Sequence, residues 1–176
     1  MEKIVLLSDL WGKENSEWIN FYREILQDHF VVEFYDSGDL GNIDKTDYTE
    51  DKLHQQFVNG GIETAVKNLM IKENQPITIL GFSVGGSIAW KAAMAGLQVD
   101  RLFAASATRI RYETEKPNTA ITLYYGEKDP FKPSSDWNKK IEITPHIFAN
   151  ESHNLYMKKE IATVICSTII KQKKEL

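Results

Sequence analysis

Ser83 stands in Gly81-Phe82-Ser83-Val84-Gly85, and an acid and a histidine, Asp129 and His153, follow it later in the chain. A hydroxyl, a carboxylate and an imidazole in that order can carry out nucleophilic acyl transfer: the imidazole takes the hydroxyl proton and the carboxylate orients the imidazole. A bare G-x-S-x-G arises by chance in about 5% of chains this long. Its surroundings sharpen it. Ile77-Thr78-Ile79-Leu80 reads as a buried strand, and the Ala-rich stretch from Ser87 to Ala95 reads as a helix. Strand, sharp turn and helix are the setting in which such a serine is lifted above a sheet edge. The flanking glycines let neighbouring backbone approach closely.

The elements that must position these groups alternate along the chain. Strands are expected at Ile4–Leu7, Val31–Tyr35, Ile77–Leu80, Arg101–Ala105, Ala120–Tyr125 and Ile141–Phe148, the last made irregular or an edge by Pro145. Helices are expected over Glu17–His29 with Ser16 as N-cap, over Thr49–Lys72 with a kink near Gly60-Gly61, over Val84–Ala95, over Ser135–Lys139 and over Asn154–Lys173. Asp36 to Asp47 reads as a solvated loop, and Ser106 to Asn118 has no clear pattern. This alternation predicts a three-layer α/β/α sandwich around a mostly parallel, six-stranded sheet, in one domain over residues 1–176.

In such a sheet ligands bind at the carboxyl ends of the strands. Ser83 follows the third expected strand, Asp129 the fifth and His153 the sixth, so all three fall on that edge. Glu127 and Asp136 are fallback acids. His29, His54 and His146 lie within expected helices or a strand and fit the base worse. Backbone N–H groups of Val84 and Leu10 are the expected oxyanion donors. Trp11 would wall the pocket, and Phe82 and Arg109 are further candidate substrate contacts. Arg109 or Arg111 could hold a carboxylate, but pairing with Glu113 or Glu115 is the plainer reading.

Composition excludes several classes. The net charge of -4 gives no pull toward nucleic acid or an anionic membrane. Lys171, Lys173 and Lys174 read as a solvated helix end. The single cysteine, Cys166, sits among apolar residues and reads as a buried, inert thiol; it cannot form an internal disulfide. No secretory signal or membrane span is visible, which makes a cytoplasmic location the expectation. Gly81 to Ser87 lacks the pattern of a dinucleotide or phosphate loop, and Asp36, Asp39, Asp44 and Asp47 do not match a calcium loop. No cofactor or metal is implied, and a small-molecule substrate is the expected partner.

Over nearly its whole length the chain resembles the α/β-hydrolase superfamily, and within it dienelactone-hydrolase-like proteins. The resemblance rests on Asp9-Leu10-Trp11-Gly12 after the first strand, Tyr35-Asp36 after the second, and Tyr125-Gly126-Glu127-Lys128-Asp129-Pro130 after the fifth. Two departures stand out. Ser83 occupies the position where the namesake enzymes use cysteine, and no segment between the fourth and fifth strands is long enough for a cap domain. The resemblance implies a capless serine hydrolase acting on esters or thioesters of small soluble substrates. A catalytically silent binding or signalling module, or a peptidase or amidase on the same three groups, is the alternative.

Overall fold

The computed structural model describes residues 1–174, with the Lys174 side chain, Glu175 and Leu176 outside the described residues. Six strands form one sheet: β1 (Lys3–Leu7), β2 (Val31–Tyr35), β3 (Ile77–Phe82), β4 (Val99–Ala105), β5 (Ala120–Gly126) and β6 (His146–Phe148). Their spatial order is β2-β1-β3-β4-β5-β6. Every pairing is parallel.

A parallel sheet covered on both faces needs strands apolar on both faces, and all six residues of β3 are buried. Alternation along β1 and β3 then feeds two cores. Val5, Leu7, Ile77 and Ile79 face one of them with Val84, Ile88, Trp90, Leu69 and Trp137. Ile4, Leu6, Leu80 and Phe82 face the other with Trp18, Tyr22, Tyr156, Ile165 and Ile169. The α-helices around the sheet are α1 (Ile19–Leu26), α2 (Ser37–Leu40), α3 (Glu50–Gln56), α4 (Ile62–Lys72), α5 (Val84–Met94), α6 (Ser135–Ile141) and α7 (Lys159–Lys174).

The expected kink between α3 and α4 is a wide π-type turn at Phe57–Gly61, with Gly60 at φ +113°. Other boundaries differ from the sequence reading. The expected Asp36–Asp47 loop opens on the single turn α2, because the Asp36 side chain caps it by accepting from the Gly38 and Asp39 amides at 2.7 and 3.0 Å. Asp36 is buried and bonds Lys45 at 2.9 Å, so it is no solvated loop acid.

Ser16 does not cap α1; its hydroxyl donates to the Lys13 carbonyl, and Trp18 is the residue before the helix. The expected sixth strand begins five residues late. Burial of Ile141 against the core keeps α6 running to that residue, Glu142 then turns at φ +58°, and β6 starts only after Pro145. The final helix is split. His153–Met157 forms a tight 3-10 turn, Lys158 is extended, and α7 begins at Lys159.

Lys173 is not simply solvated: its ammonium donates to the His29 carbonyl and lies over the Phe30 ring. Cys166 is fully buried, and burial pushes its thiol pKa up to about 12. Among the described residues no helix is long and apolar enough to cross a membrane.

Candidate active site

The turn from β3 into α5 carries the feature that a strand–helix elbow demands. Ser83 sits at φ +54°, ψ -117°, a conformation that side-chain-bearing residues adopt only when their surroundings impose it. Its amide donates to the Ala105 carbonyl of β4 at 2.9 Å, and its own carbonyl accepts from Gly86 at 3.0 Å. Close packing holds the turn on both sides. A Cβ on Gly81 would meet the Gly85 carbonyl oxygen at 2.4 Å, and one on Gly85 would meet the Leu7 and Ser8 carbonyl oxygens at 2.5 Å. Glycine at these positions lets the elbow seat directly against the end of β1.

Ser83, His153 and Asp129 form one hydrogen-bonded chain. Ser83 Oγ lies 3.0 Å from His153 Nε2. His153 Nδ1 lies 2.9 Å from Asp129 Oδ2. Asp129 is 1% exposed and Ser83 3%. The second carboxylate oxygen of Asp129 accepts the Phe131 amide at 2.8 Å, which fixes the carboxyl plane. The carboxylate therefore selects the tautomer with the proton on Nδ1, leaving Nε2 free to accept from the serine hydroxyl. The turn bearing His153 is itself held, since Ser106 Oγ donates to the His153 carbonyl at 2.6 Å.

Glu127 serves the backbone instead, accepting from the Asn150 amide at 2.8 Å, and Asp136 is exposed in the first turn of α6. His146 stacks on Tyr124 with ring centroids 5.3 Å apart.

Leu10 and Val84 lie at the two turns that meet at the elbow, after β1 and at the start of α5. Among the described residues neither amide donates to a protein acceptor. Trp11 is half-buried; its ring stands edge-on to Tyr48, and its carbonyl accepts the Tyr48 hydroxyl.

Phe82 corrects an expectation. It is fully buried, with its ring 4.8 Å from those of Trp18 and Tyr22. Alternation along β3 points it into the α1–α7 core rather than toward the sheet edge.

Arg109 and Arg111 pair with neither Glu113 nor Glu115; Glu113 pairs instead with Lys91 at 3.0 Å. Arg109 lies over the Tyr112 ring at 5.1 Å. Arg111 lies over Tyr112 at 4.4 Å and over Phe131 at 5.3 Å, and donates to the Thr108 carbonyl. Sequence reasoning missed Phe131, Ser106 and Tyr156 around the imidazole. Nothing in their spacing signals that role; their proximity comes only from tertiary packing.

A parallel sheet with helices on both faces and a serine elbow at its carboxyl edge defines an α/β-hydrolase fold. The chain belongs to the dienelactone hydrolase family, which matches residues 2–161, and it is accordingly a hydrolase. No curated protein matches it. Solved structures share the fold at low identity. A protein from Xanthomonas campestris pv. campestris described as a hydrolase of the α/β superfamily is 15% identical, with TM-score 0.70 over 98% of this chain and 99% of that one. One from Klebsiella pneumoniae subsp. pneumoniae described as a dienelactone hydrolase is 15% identical, with TM-score 0.68 over 97% and 85%. Est1E from Butyrivibrio proteoclasticus, solved with ferulic acid bound, is 12% identical, with TM-score 0.65 over 99% and 89%.

Proposed function

We propose that the protein is a serine hydrolase that cleaves carboxylic ester or thioester bonds of small soluble substrates through an acyl-enzyme. The observation that carries this reading is the unbroken chain Ser83–His153–Asp129, at 3.0 and 2.9 Å, on an elbow that presents the hydroxyl at φ +54°.

In this reading Ser83 Oγ attacks the acyl carbonyl carbon while His153 Nε2 takes the hydroxyl proton. The carbonyl π pair moves onto oxygen, and the Leu10 and Val84 amides stabilise that oxyanion. Collapse expels the alcohol or thiol, which leaves with the proton from His153. Water, deprotonated by the same imidazole, then attacks the acyl-serine, and the acid is released as Ser83 Oγ leaves with the proton from His153. Asp129 holds the imidazole throughout.

The preference for small substrates is supported by the short β4–β5 connection. It runs from Ala105 to Ala120 and carries only the single turn Ile110–Tyr112, too little to cover a long acyl chain.

The test is labelling by a fluorophosphonate together with a chain-length series of acyl esters and thioesters, on wild type and Ser83→Ala. Labelling at Ser83, and turnover that falls on the order of a millionfold in kcat in the variant, is the expected result. Turnover by Ser83→Ala at the wild-type rate would remove the serine mechanism. Wild type that neither labels nor turns over any ester would leave a binding protein on a hydrolase fold.

A further inference from the structure

The acid at the end of β1 stands outside the chain of three. Asp9 is 1% exposed, and a buried carboxylate needs hydrogen-bond donors to offset its lost hydration. It finds them in two different turns. Oδ1 accepts the Trp11 amide at 3.0 Å, closing a loop around Leu10, whose N–H is the proposed oxyanion donor. Oδ2 accepts the Tyr156 hydroxyl at 3.0 Å, and Tyr156 lies in the same tight turn as His153.

Tyr156 is rigidly mounted. Its carbonyl accepts from the Tyr22 hydroxyl at 2.8 Å. Its ring is edge-on to Trp18 at 4.9 Å, and to the His153 imidazole at 6.2 Å. Even with these donors, burial pushes Asp9 up to about 6, so the carboxylate is costly where it sits.

We propose that the Asp9–Tyr156 hydrogen bond is a positioning tie, which sets the Leu10 amide and the His153 imidazole at a fixed separation so that oxyanion donor and base act on one acyl carbon. The inference rests on the serine-hydrolase reading above. Asp9 and Tyr156 touch neither substrate nor the reacting atoms in it; they act through Leu10 and His153.

The experiment measures kcat and KM for p-nitrophenyl acetate in wild type, Ser83→Ala, Tyr156→Phe, Asp9→Asn and the Tyr156→Phe/Asp9→Asn double variant. Misplacing reacting groups by an ångström costs on the order of 100-fold. Tyr156→Phe is therefore expected to lower kcat roughly 10- to 100-fold, with KM changed by less than about threefold. Tyr156→Phe removes the bond, and Asp9→Asn weakens the same tie because its one amide oxygen must serve two donors, so the double variant should be no slower than the slower single variant. Hydrogen exchange at Leu10, Trp11 and Gly12 should speed up in Tyr156→Phe, a readout independent of turnover.

If Tyr156→Phe is unfolded at the assay temperature, Asp9→Asn decides by the same kinetics. Ser83-dependent turnover in wild type with unchanged kcat in the folded variants, or with losses that multiply in the double variant, overturns the tie and leaves the hydrolase reading standing. Absence of Ser83-dependent turnover in wild type overturns both.

Discussion

The Phe131 ring and the His153 imidazole form a T-shaped pair, with ring centroids 5.1 Å apart and planes 79° apart, and the Arg111 guanidinium lies over that same Phe131 ring at 5.3 Å. A cation thus stands one ring removed from the proposed base. Among the described residues it has no carboxylate partner. Cation–π contacts with Tyr112 and Phe131 hold the planar head in place while leaving N–H donors over.

A substrate carboxylate would find a prepared partner there. Esters bearing a free carboxylate are expected to react with kcat/KM about tenfold above matched neutral esters, the worth of one charge-assisted hydrogen bond. Arg111→Ala should erase that preference, and Arg109→Ala should reduce it less. Paired ester series on the three proteins check it; equal kcat/KM for charged and neutral esters in wild type would leave Arg111 a structural residue.

Asp9 and Asp36 close neighbouring turns and make opposite predictions about pH. Burial raises the Asp9 carboxyl from 3.8 to about 6 in the folded protein. The folded state then binds the proton more tightly than the unfolded chain. No penalty exists below about pH 4; it grows as pH rises toward 6 and is complete above that. The difference amounts to about 3 kcal/mol at pH 7. Asp9→Asn should therefore match wild-type stability near pH 4 and exceed it at pH 7.5, by less than that figure because the amide cannot accept from both Trp11 and Tyr156. Denaturant melts at the two pH values measure it, and a variant less stable than wild type at pH 7.5 would contradict it. A gain in stability alongside slower turnover would also separate positioning from folding.

For Asp36, burial opposes the charge, but the Lys13 amide, the Lys45 ammonium and the Asp39 amide outweigh it and lower the carboxyl below its ordinary 3.8. Stability from this group is present above pH 4 and is lost as pH falls through the lowered folded value. Asp36→Asn should cost about 2 to 3 kcal/mol at pH 7, since it leaves Lys45 without its buried partner and weakens the cap of α2. The gap to wild type should close as the pH falls below about 4. A gap that stays constant down to pH 2 would assign the loss to packing alone.

The sheet was legible because its strands are short runs rich in apolar, β-branched or aromatic residues, as in Ile77-Thr78-Ile79-Leu80. Ser83, Asp129 and His153 were legible together because each follows a strand of a parallel sheet, so their convergence follows from strand order rather than from detail. What failed was local. Ile141 looks like a strand start, but burial beside Trp137 keeps it in α6. Phe82 borders the nucleophile in sequence, yet pleat alternation sends it into the opposite core. Asp36 looked solvated among four acids, and only the fold brings Lys13 to it, 23 residues away in sequence. Tyr156 and Phe131 were invisible for the same reason: their roles are set by neighbours distant in the chain.

Two glycines separate space from backbone strain. Gly85 lies inside α5, and a Cβ there would meet two carbonyl oxygens of the β1 end at 2.5 Å. Those oxygens belong to Leu7 and Ser8, immediately before the Asp9–Leu10 turn, so relief must come by pushing β1 and its turn away from the elbow. Gly85→Ala should cost about 1 to 3 kcal/mol, the range for overpacking, and kcat should fall about 100-fold with it if the Leu10 amide moves by an ångström. Gly60 sits in the wide turn between α3 and α4, where an added Cβ meets nothing within 4 Å but φ is +113°. Gly60→Ala should cost a similar 1 to 2 kcal/mol from backbone strain alone, and kcat should stay at the wild-type value. Melting curves and ester kinetics on both variants read the two effects. Equal loss of activity in both, tracking stability, would mean that the elbow's seat against β1 has no part in turnover.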